Sequence, residues 1–170
     1  MKLNIGCGPR RIDGYVGVDI VPRAAVDIIA PAHRIALPDE SVEEILAIHL
    51  WEHFHPWECD TVLAEWRRLL QPAGRLVLEL PDLLKCCRNV LDGLVKGGKH
   101  ADQLTLWGLY GDPRERDPYM AHRWGWSPRS LGDFLRAHGF ERVAHEPTQW
   151  HPAGREHRDM RITARKEAAC

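Results

Sequence analysis

The 170-residue sequence predicts an α/β fold: a doubly wound, mostly parallel sheet of seven strands with an antiparallel C-terminal strand pair. Three observations predict it. Short apolar runs alternate with stretches whose apolar residues recur at three-and-four spacing, the order that strand–helix units write into a chain. The first two runs, within Leu3–Asp19, flank a glycine turn, and the second stops on a carboxylate. The last two, 140–145 and 159–164, are separated only by a loop. At this length, with 44% hydrophobic and 28% charged residues, residues 1–170 form one domain with a sizeable core.

Taken in order, Leu3-Asn-Ile enters the turn Gly6-Cys7-Gly8. Lacking Cβ, Gly6 and Gly8 reach positive φ and let a ligand lie against the backbone. The second strand ends at Asp19, where a carboxylate at a parallel strand's end accepts hydrogen bonds from both hydroxyls of a ribose. The link from Pro9 to Tyr15 holds 7 residues. A crossover with its helix needs about 10 to 12, so the first helix is shortened to a turn. Arg10 and Arg11 sit in that turn, either meeting a ligand carboxylate or simply solvated.

Ala25–Ala30 is β-branched and apolar, a third strand. Leu37-Pro-Asp-Glu-Ser turns by its own chemistry, and Glu44–His49 is the fourth strand. From Trp57 to Leu70, apolar Trp57, Val62, Leu63, Trp66, Leu69 and Leu70 mark an amphipathic helix. Gln71-Pro-Ala-Gly ends it, and Leu76–Leu80 is the fifth strand. Helices are expected over Leu83–Val95, broken by Gly97-Gly98, and over Asp102–Tyr110. Gly111–Trp126 has no periodicity but gathers aromatic, charged and histidine residues, which makes 111–126 the candidate substrate lid. Ser127 then caps a helix with Pro128 at its first position, and Gly139 closes it. Phe140–His145 and Asp159–Ala164 pair around a loop holding Trp150, His151 and His157.

The glycine stretch also narrows the ligand. A dinucleotide fingerprint needs a third glycine and an acidic residue about 20 positions on, whereas Asp19 follows Gly8 by 11. A phosphate loop needs a lysine, and none lies between Lys2 and Lys85. A nucleoside without phosphate fits, and S-adenosylmethionine is one.

Five ordered blocks, covering about half the chain, carry a resemblance: Leu3–Gly8, Gly17-Val-Asp-Ile20, Leu37–Val42, His49-Leu-Trp-Glu-His53, and Glu65–Leu78. They resemble the class I S-adenosylmethionine-dependent methyltransferases, within them a compact bacterial group akin to methyltransferase type 11. The resemblance implies a Rossmann-like sheet, S-adenosylmethionine as cofactor and S-adenosylhomocysteine as product. It places Gly6, Cys7, Gly8, Arg11, Asp19 and Ile20 against the cofactor, and His49 near the transferring methyl group. The family's acidic adenine contact is replaced by Pro31 or Ala32, which leaves adenine to backbone groups and to Arg34 and Ile35. A small-molecule or sugar acceptor is expected, methylated at oxygen, and the preference for sugar is what the family group implies.

Methyl transfer from a sulfonium is a direct displacement, so the protein mainly aligns the acceptor and excludes water. A hydroxyl acceptor gains from a nearby base, and histidine suits neutral pH. His122 in the candidate lid is the first choice, His53 the second. Two other readings stand beside this one. The first is a regulatory module that binds S-adenosylmethionine without catalysis. The second is a zinc hydrolase using His49, Glu52 and His53, since His-x-x-Glu-His matches an inverted zinc-peptidase pattern. The strand-like residues before it and Pro56 after it argue against the helix that pattern needs, and no metal is expected.

Net charge is −1, so no basic excess points to nucleic acid. Five cysteines, two of them the adjacent Cys86 and Cys87, do not form a secreted disulfide framework. With neither a signal pattern nor a spanning apolar run, a cytoplasmic, membrane-free protein is expected, its oligomeric state open.

Overall fold

The computed structural model describes residues 1–93, 101–112, 116–149 and 157–168, with side chains set aside for 101–105. Seven strands, β1 (Lys2–Ile5), β2 (Val16–Asp19), β3 (Ile28–Ile29), β4 (Val42–Ile48), β5 (Leu70–Pro81), β6 (Phe140–Glu146) and β7 (Asp159–Lys166), form one sheet. Their order is β3-β2-β1-β4-β5-β7-β6. β1 to β5 pair in parallel, and β7 runs antiparallel to both β5 and β6, as the sequence predicts. The strand order reverses between β1 and β4, and the carboxyl ends of these two strands frame the crevice in which open α/β sheets bind ligands.

Among the described residues, four helices, α1 (Pro56–Leu69), α2 (Leu83–Leu91), α3 (Ala101–Tyr110) and α4 (Pro128–Ala137), join two 3-10 turns, Trp51–His53 and Pro118–Met120. α1 begins on Pro56 with a reciprocal cap between His55 and Glu58, and α4 has the predicted Ser127 cap. Both bury their apolar stripes on one face of the sheet. Leu3, Ile5, Ile45, Ala47, Leu76, Leu78 and Ile162 meet Val62, Trp66, Leu131 and Leu135 there. Trp51 sits at the centre of this layer, its ring 5.4 Å from Trp66 and 6.3 Å from Trp126.

The opposite face is built otherwise. Side chains alternate across a strand, and here the alternates are Leu46 and Val77, which meet Ile12 from the β1–β2 connection in a small apolar cluster, then charged groups. Glu44 pairs with Arg75 at 3.2 Å and Glu79 with Arg161 at 3.0 Å. Glu44 also accepts the Tyr15 hydroxyl, and Glu146 accepts the Thr163 hydroxyl at 2.9 Å. The sequence shortens only the first helix, but no helix joins β1, β2, β3 and β4 in succession among the described residues.

Two strands differ from expectation. β3 shrinks from Ala25–Ala30 to two residues because Asp27 spends its carboxylate on the Gly17 N–H, 2.8 Å away. There the Ala25 carbonyl crosses so close that a Cβ on Gly17 would stand 2.2 Å from it. β5 starts at Leu70, where a helix end and turn are expected. Leu70 pairs with Val42, Ala73 takes φ 58° as the strand bulges, and pairing resumes at Arg75 and Glu44. The helix predicted to Val95 ends at Leu91. Gly97-Gly98, Trp150 and His151 lie outside the described residues. No helix of the described residues is long and apolar enough to cross a membrane.

Candidate functional site

The glycine turn closes β1 as its residues require. The N–H groups of Gly6 and Cys7 both donate to the Val18 carbonyl, at 2.8 and 3.2 Å. Gly6 and Gly8 have φ of 70° and 53°, the left-handed region that favours glycine. A Cβ on Gly6 would press into Leu50 at 2.9 Å, whereas at Gly8 nothing lies within 4 Å. The backbone at Gly8 is therefore open to a ligand.

Asp19 ends β2 beside that opening. One carboxylate oxygen accepts the Gly8 N–H at 2.8 Å and the other the Val21 N–H at 2.9 Å. A carboxylate has about four lone-pair sites, so both oxygens retain capacity for ribose hydroxyls. Ile20, 51% exposed, adds an apolar wall next to it. This set of open glycine backbone, half-buried carboxylate and exposed isoleucine fits a nucleoside. Burial, then the Asp19 charge, pushes the Cys7 thiol up, which keeps it protonated beside the turn.

Other expected contacts fall elsewhere. Arg11 directs its guanidinium at Asp27, 2.9 Å away, and at the Ala24 carbonyl, so a neighbouring loop already satisfies it. Ile35 is 1% exposed and belongs to the core. Its N–H goes to Glu65 and its carbonyl accepts from Arg68, which removes it as an adenine contact. Arg34 is exposed and lines a groove along edge strand β3 with Glu65 and Arg68.

His49 stands at the end of β4 with φ 51°, held by its N–H on the Glu79 carbonyl. Its Nδ1 lies 2.7 Å from Glu52 and its Nε2 3.3 Å from Asp159. Arg158 forms a two-pronged pair with Asp159 at 2.6 and 3.0 Å. Burial alone pushes the His49 imidazole down, but Glu52 and Asp159 outweigh it and raise the pKa to about 9. Burial likewise pushes Glu52 up, and the histidines around it bring it down to about 2. Both of His49's nitrogens are thus engaged, and it acts as a charged anchor between two carboxylates. Asp159 has no local signal in the sequence, since it reaches His49 only through sheet pairing 110 residues away.

The two candidate catalytic histidines do come together. His53 closes the 3-10 turn Trp51–His53, and the segment 121–124 lies across that turn, with Arg123 N–H donating to the Glu52 carbonyl at 2.8 Å. This brings the His53 and His122 rings edge to face, 4.9 Å apart. The Nδ1 of His53 donates to the Ala121 carbonyl at 3.1 Å, and the Nδ1 of His122 to the Gly108 carbonyl at 3.0 Å. A carbonyl only accepts, so Nδ1 carries the proton in both rings. Burial pushes His122 down against the pull of Glu52, which leaves its Nε2 lone pair bare at neutral pH.

One ligand atom from each of Glu52, His53 and His122 lies within 4.8 Å of the other two. The ligand set of the zinc-hydrolase alternative, His49, Glu52 and His53, is not the one that converges, since His122 stands where that reading has His49. Beside it opens a cavity of about 590 Å³ lined by Leu106, Trp107, Tyr110, Asp117, Met120 and Ala121. Its Ala121 wall is the residue whose carbonyl holds His53.

A family model described as a methyltransferase domain matches residues 4–145. No curated protein matches. Among solved structures, a Pyrococcus horikoshii protein superposes with TM-score 0.62 at 19% identity, over 98% of this chain and 81% of that one. A Burkholderia thailandensis 1,6-didemethyltoxoflavin N1-methyltransferase, with its substrate and S-adenosylhomocysteine bound, gives 0.63 at 18%, over 98% and 70%. A methyltransferase of Archaeoglobus fulgidus described as dependent on S-adenosylmethionine gives 0.61 at 17%, over 97% and 85%. At these identities the three share the fold.

Proposed function

This chain belongs to the methyltransferase-domain family, and we propose that it moves the methyl group of S-adenosylmethionine to an oxygen of a small hydroxyl-bearing ring compound, a sugar among the candidates. S-adenosylmethionine is the cofactor and S-adenosylhomocysteine the product. When bound, the cofactor supplies an electrophilic methyl carbon on a good leaving group.

The chain's own residues do the rest. Gly8 offers backbone, Asp19 accepts ribose hydroxyls, and Ile20 covers an apolar ring edge. Trp107, Tyr110 and Met120 give the acceptor an apolar seat, and Asp112, Arg116 and Asp117 bring polar groups to its rim. The observation that carries the acceptor reading is the wall shared between that cavity and the histidine pair. Ala121 lines the cavity and its carbonyl accepts the His53 Nδ1–H, so the histidine pair stands behind one wall of that space. This supports a reading in which one of them takes the proton of an acceptor hydroxyl. The neighbour with a bound small heterocycle supports an acceptor of that size.

The test measures S-adenosylhomocysteine release against a panel of sugars and phenolic or heteroaromatic hydroxyl compounds. Turnover with one class, reduced at least ~10-fold in His122→Ala with unchanged S-adenosylhomocysteine affinity, is the expected result. Tight cofactor binding with no turnover across the panel would favour the non-catalytic regulatory module instead.

A further inference from the structure

We propose that Glu52, His53 and His122 bind a divalent transition-metal ion, zinc or one of its neighbours, at the acceptor side of the site. The role given to the ion rests on the methyl-transfer reading above. Binding itself does not.

The donor set is the first reason. Two imidazoles and a carboxylate suit zinc and similar ions rather than magnesium or calcium. Three such ligands with a fourth position open is also the pattern of catalytic rather than structural zinc. Next comes the orientation of the rings. Metal-bound histidines almost always give their other N–H to a carbonyl or carboxylate, which fixes the tautomer and presents the remaining nitrogen. Both His53 and His122 give Nδ1–H to backbone carbonyls, Ala121 and Gly108.

Independent support comes from Glu52. Its side chain is 3% exposed, and one oxygen is held by His49 at 2.7 Å. The other oxygen, Oε2, is buried with no hydrogen-bond partner among the described residues. A buried carboxylate oxygen without a partner is costly, and a cation relieves that cost. In addition, His122 Nε2 lies 3.8 Å from Glu52 Oε1, the oxygen that His49 also holds, a gap too long for a hydrogen bond. Ligand atoms around tetrahedral zinc stand about 3.4 Å apart for bonds near 2.1 Å. The 4.8 Å envelope therefore closes with side-chain shifts of about 1 Å.

Such an ion changes what the histidines do. Their lone pairs go to the metal, and the acceptor's hydroxyl takes the open position, where its pKa falls. The hydroxyl proton passes to solvent and the oxygen forms its bond to the methyl carbon. The carbon–sulfur bond breaks with its electron pair going to sulfur, giving neutral S-adenosylhomocysteine. No oxidant or reductant is required.

The test uses tag-free full-length protein stripped with a chelator and titrated with Co²⁺, then with Zn²⁺ in competition. Visible d–d absorption reports an ordered site, and S-adenosylhomocysteine titration of the same samples reports an intact fold. The expected result is one Co²⁺ per chain with visible bands that Zn²⁺ abolishes. Affinity falls at least 10-fold in His53→Ala and in His122→Ala, while both bind S-adenosylhomocysteine as wild type does. Absence of such bands, or bands undiminished in both variants, would overturn the proposal. If turnover ignores the chelator yet falls in His122→Ala, the role given to the ion in methyl transfer is overturned while the methyl-transfer reading stands. Loss of S-adenosylhomocysteine binding by wild type overturns that reading alone.

Discussion

The two faces of the sheet solve the burial of one set of strands in opposite ways. Under α1 and α4 the inward positions are Leu, Ile, Val and Trp, and two tryptophans and two phenylalanines interlock around Trp51. On the other face the same strands present Glu44, Arg75, Glu79, Arg161 and Thr163. Among the described residues the connections between β1, β2, β3 and β4 carry no helix, so apolar side chains on that side would have no layer to meet. Ion pairs between neighbouring strands take their place. The covered face supplies the stability. The reversal of strand order between β1 and β4 supplies the site.

The largest expected effect tests this division. Trp66→Ala empties the middle of the covered face, and equilibrium unfolding is expected to show a loss of about 3–5 kcal/mol. Arg161→Met removes the guanidinium 3.0 Å from the buried Glu79 carboxylate while the Gln149 N–H stays on the same oxygen, and it is expected to cost a similar amount, about 3–5 kcal/mol, because a buried charge loses a cationic partner. The double variant Glu79→Leu/Arg161→Met is expected to regain most of that loss. If the double variant is as unstable as the single one, the ionic face contributes stability of its own and the contrast between faces is wrong.

A smaller, pH-dependent effect belongs to the rim of α1. The Arg68 guanidinium holds Glu65 below its ordinary 4.5, helped by the Ile35 N–H against the effect of burial. A carboxylate with a depressed folded-state pKa stabilises above its unfolded pKa and loses that contribution as pH falls through the folded value. Thermal unfolding is therefore expected to show stability declining from pH 4.5 downward, with a shallower acid limb in Glu65→Gln. An identical acid limb in the variant would remove this pair from the account. Smallest of all, Arg11→Ala breaks an exposed pair with Asp27 and is expected to cost at most ~1 kcal/mol. Unchanged affinity for S-adenosylhomocysteine in that variant would match the structure's placement of Arg11 away from the turn.

Much of this was legible along the chain. The three-and-four spacing from Trp57 to Leu70 gives α1 to within a residue at each end, and Ser127-Pro128 gives the start of α4. The Gly6–Asp19 stretch gives the turn and the carboxylate because both are local devices. What stayed hidden depends on partners far away. β3 is cut short by Asp27 binding Gly17, a contact set by tertiary packing and not by the apolar run Ala25–Ala30. His49 becomes a charged anchor through Glu52, three residues on, and through Asp159, which β7 brings to it from 110 residues away. The trio of Glu52, His53 and His122 joins two adjacent residues to one 69 positions further on, and no spacing in the sequence announces such a meeting.

The central claim is that the open turn at Gly8, with Asp19, receives S-adenosylmethionine, and that the histidine pair acts on the acceptor alone. Isothermal titration with S-adenosylhomocysteine of wild type, Asp19→Ala and His122→Ala tests it most directly. The account predicts binding by wild type, equal affinity in His122→Ala, and affinity weaker by about 1–3 kcal/mol in Asp19→Ala from lost charge-assisted hydrogen bonds. Wild-type affinity in Asp19→Ala, or loss of binding in His122→Ala, would contradict it.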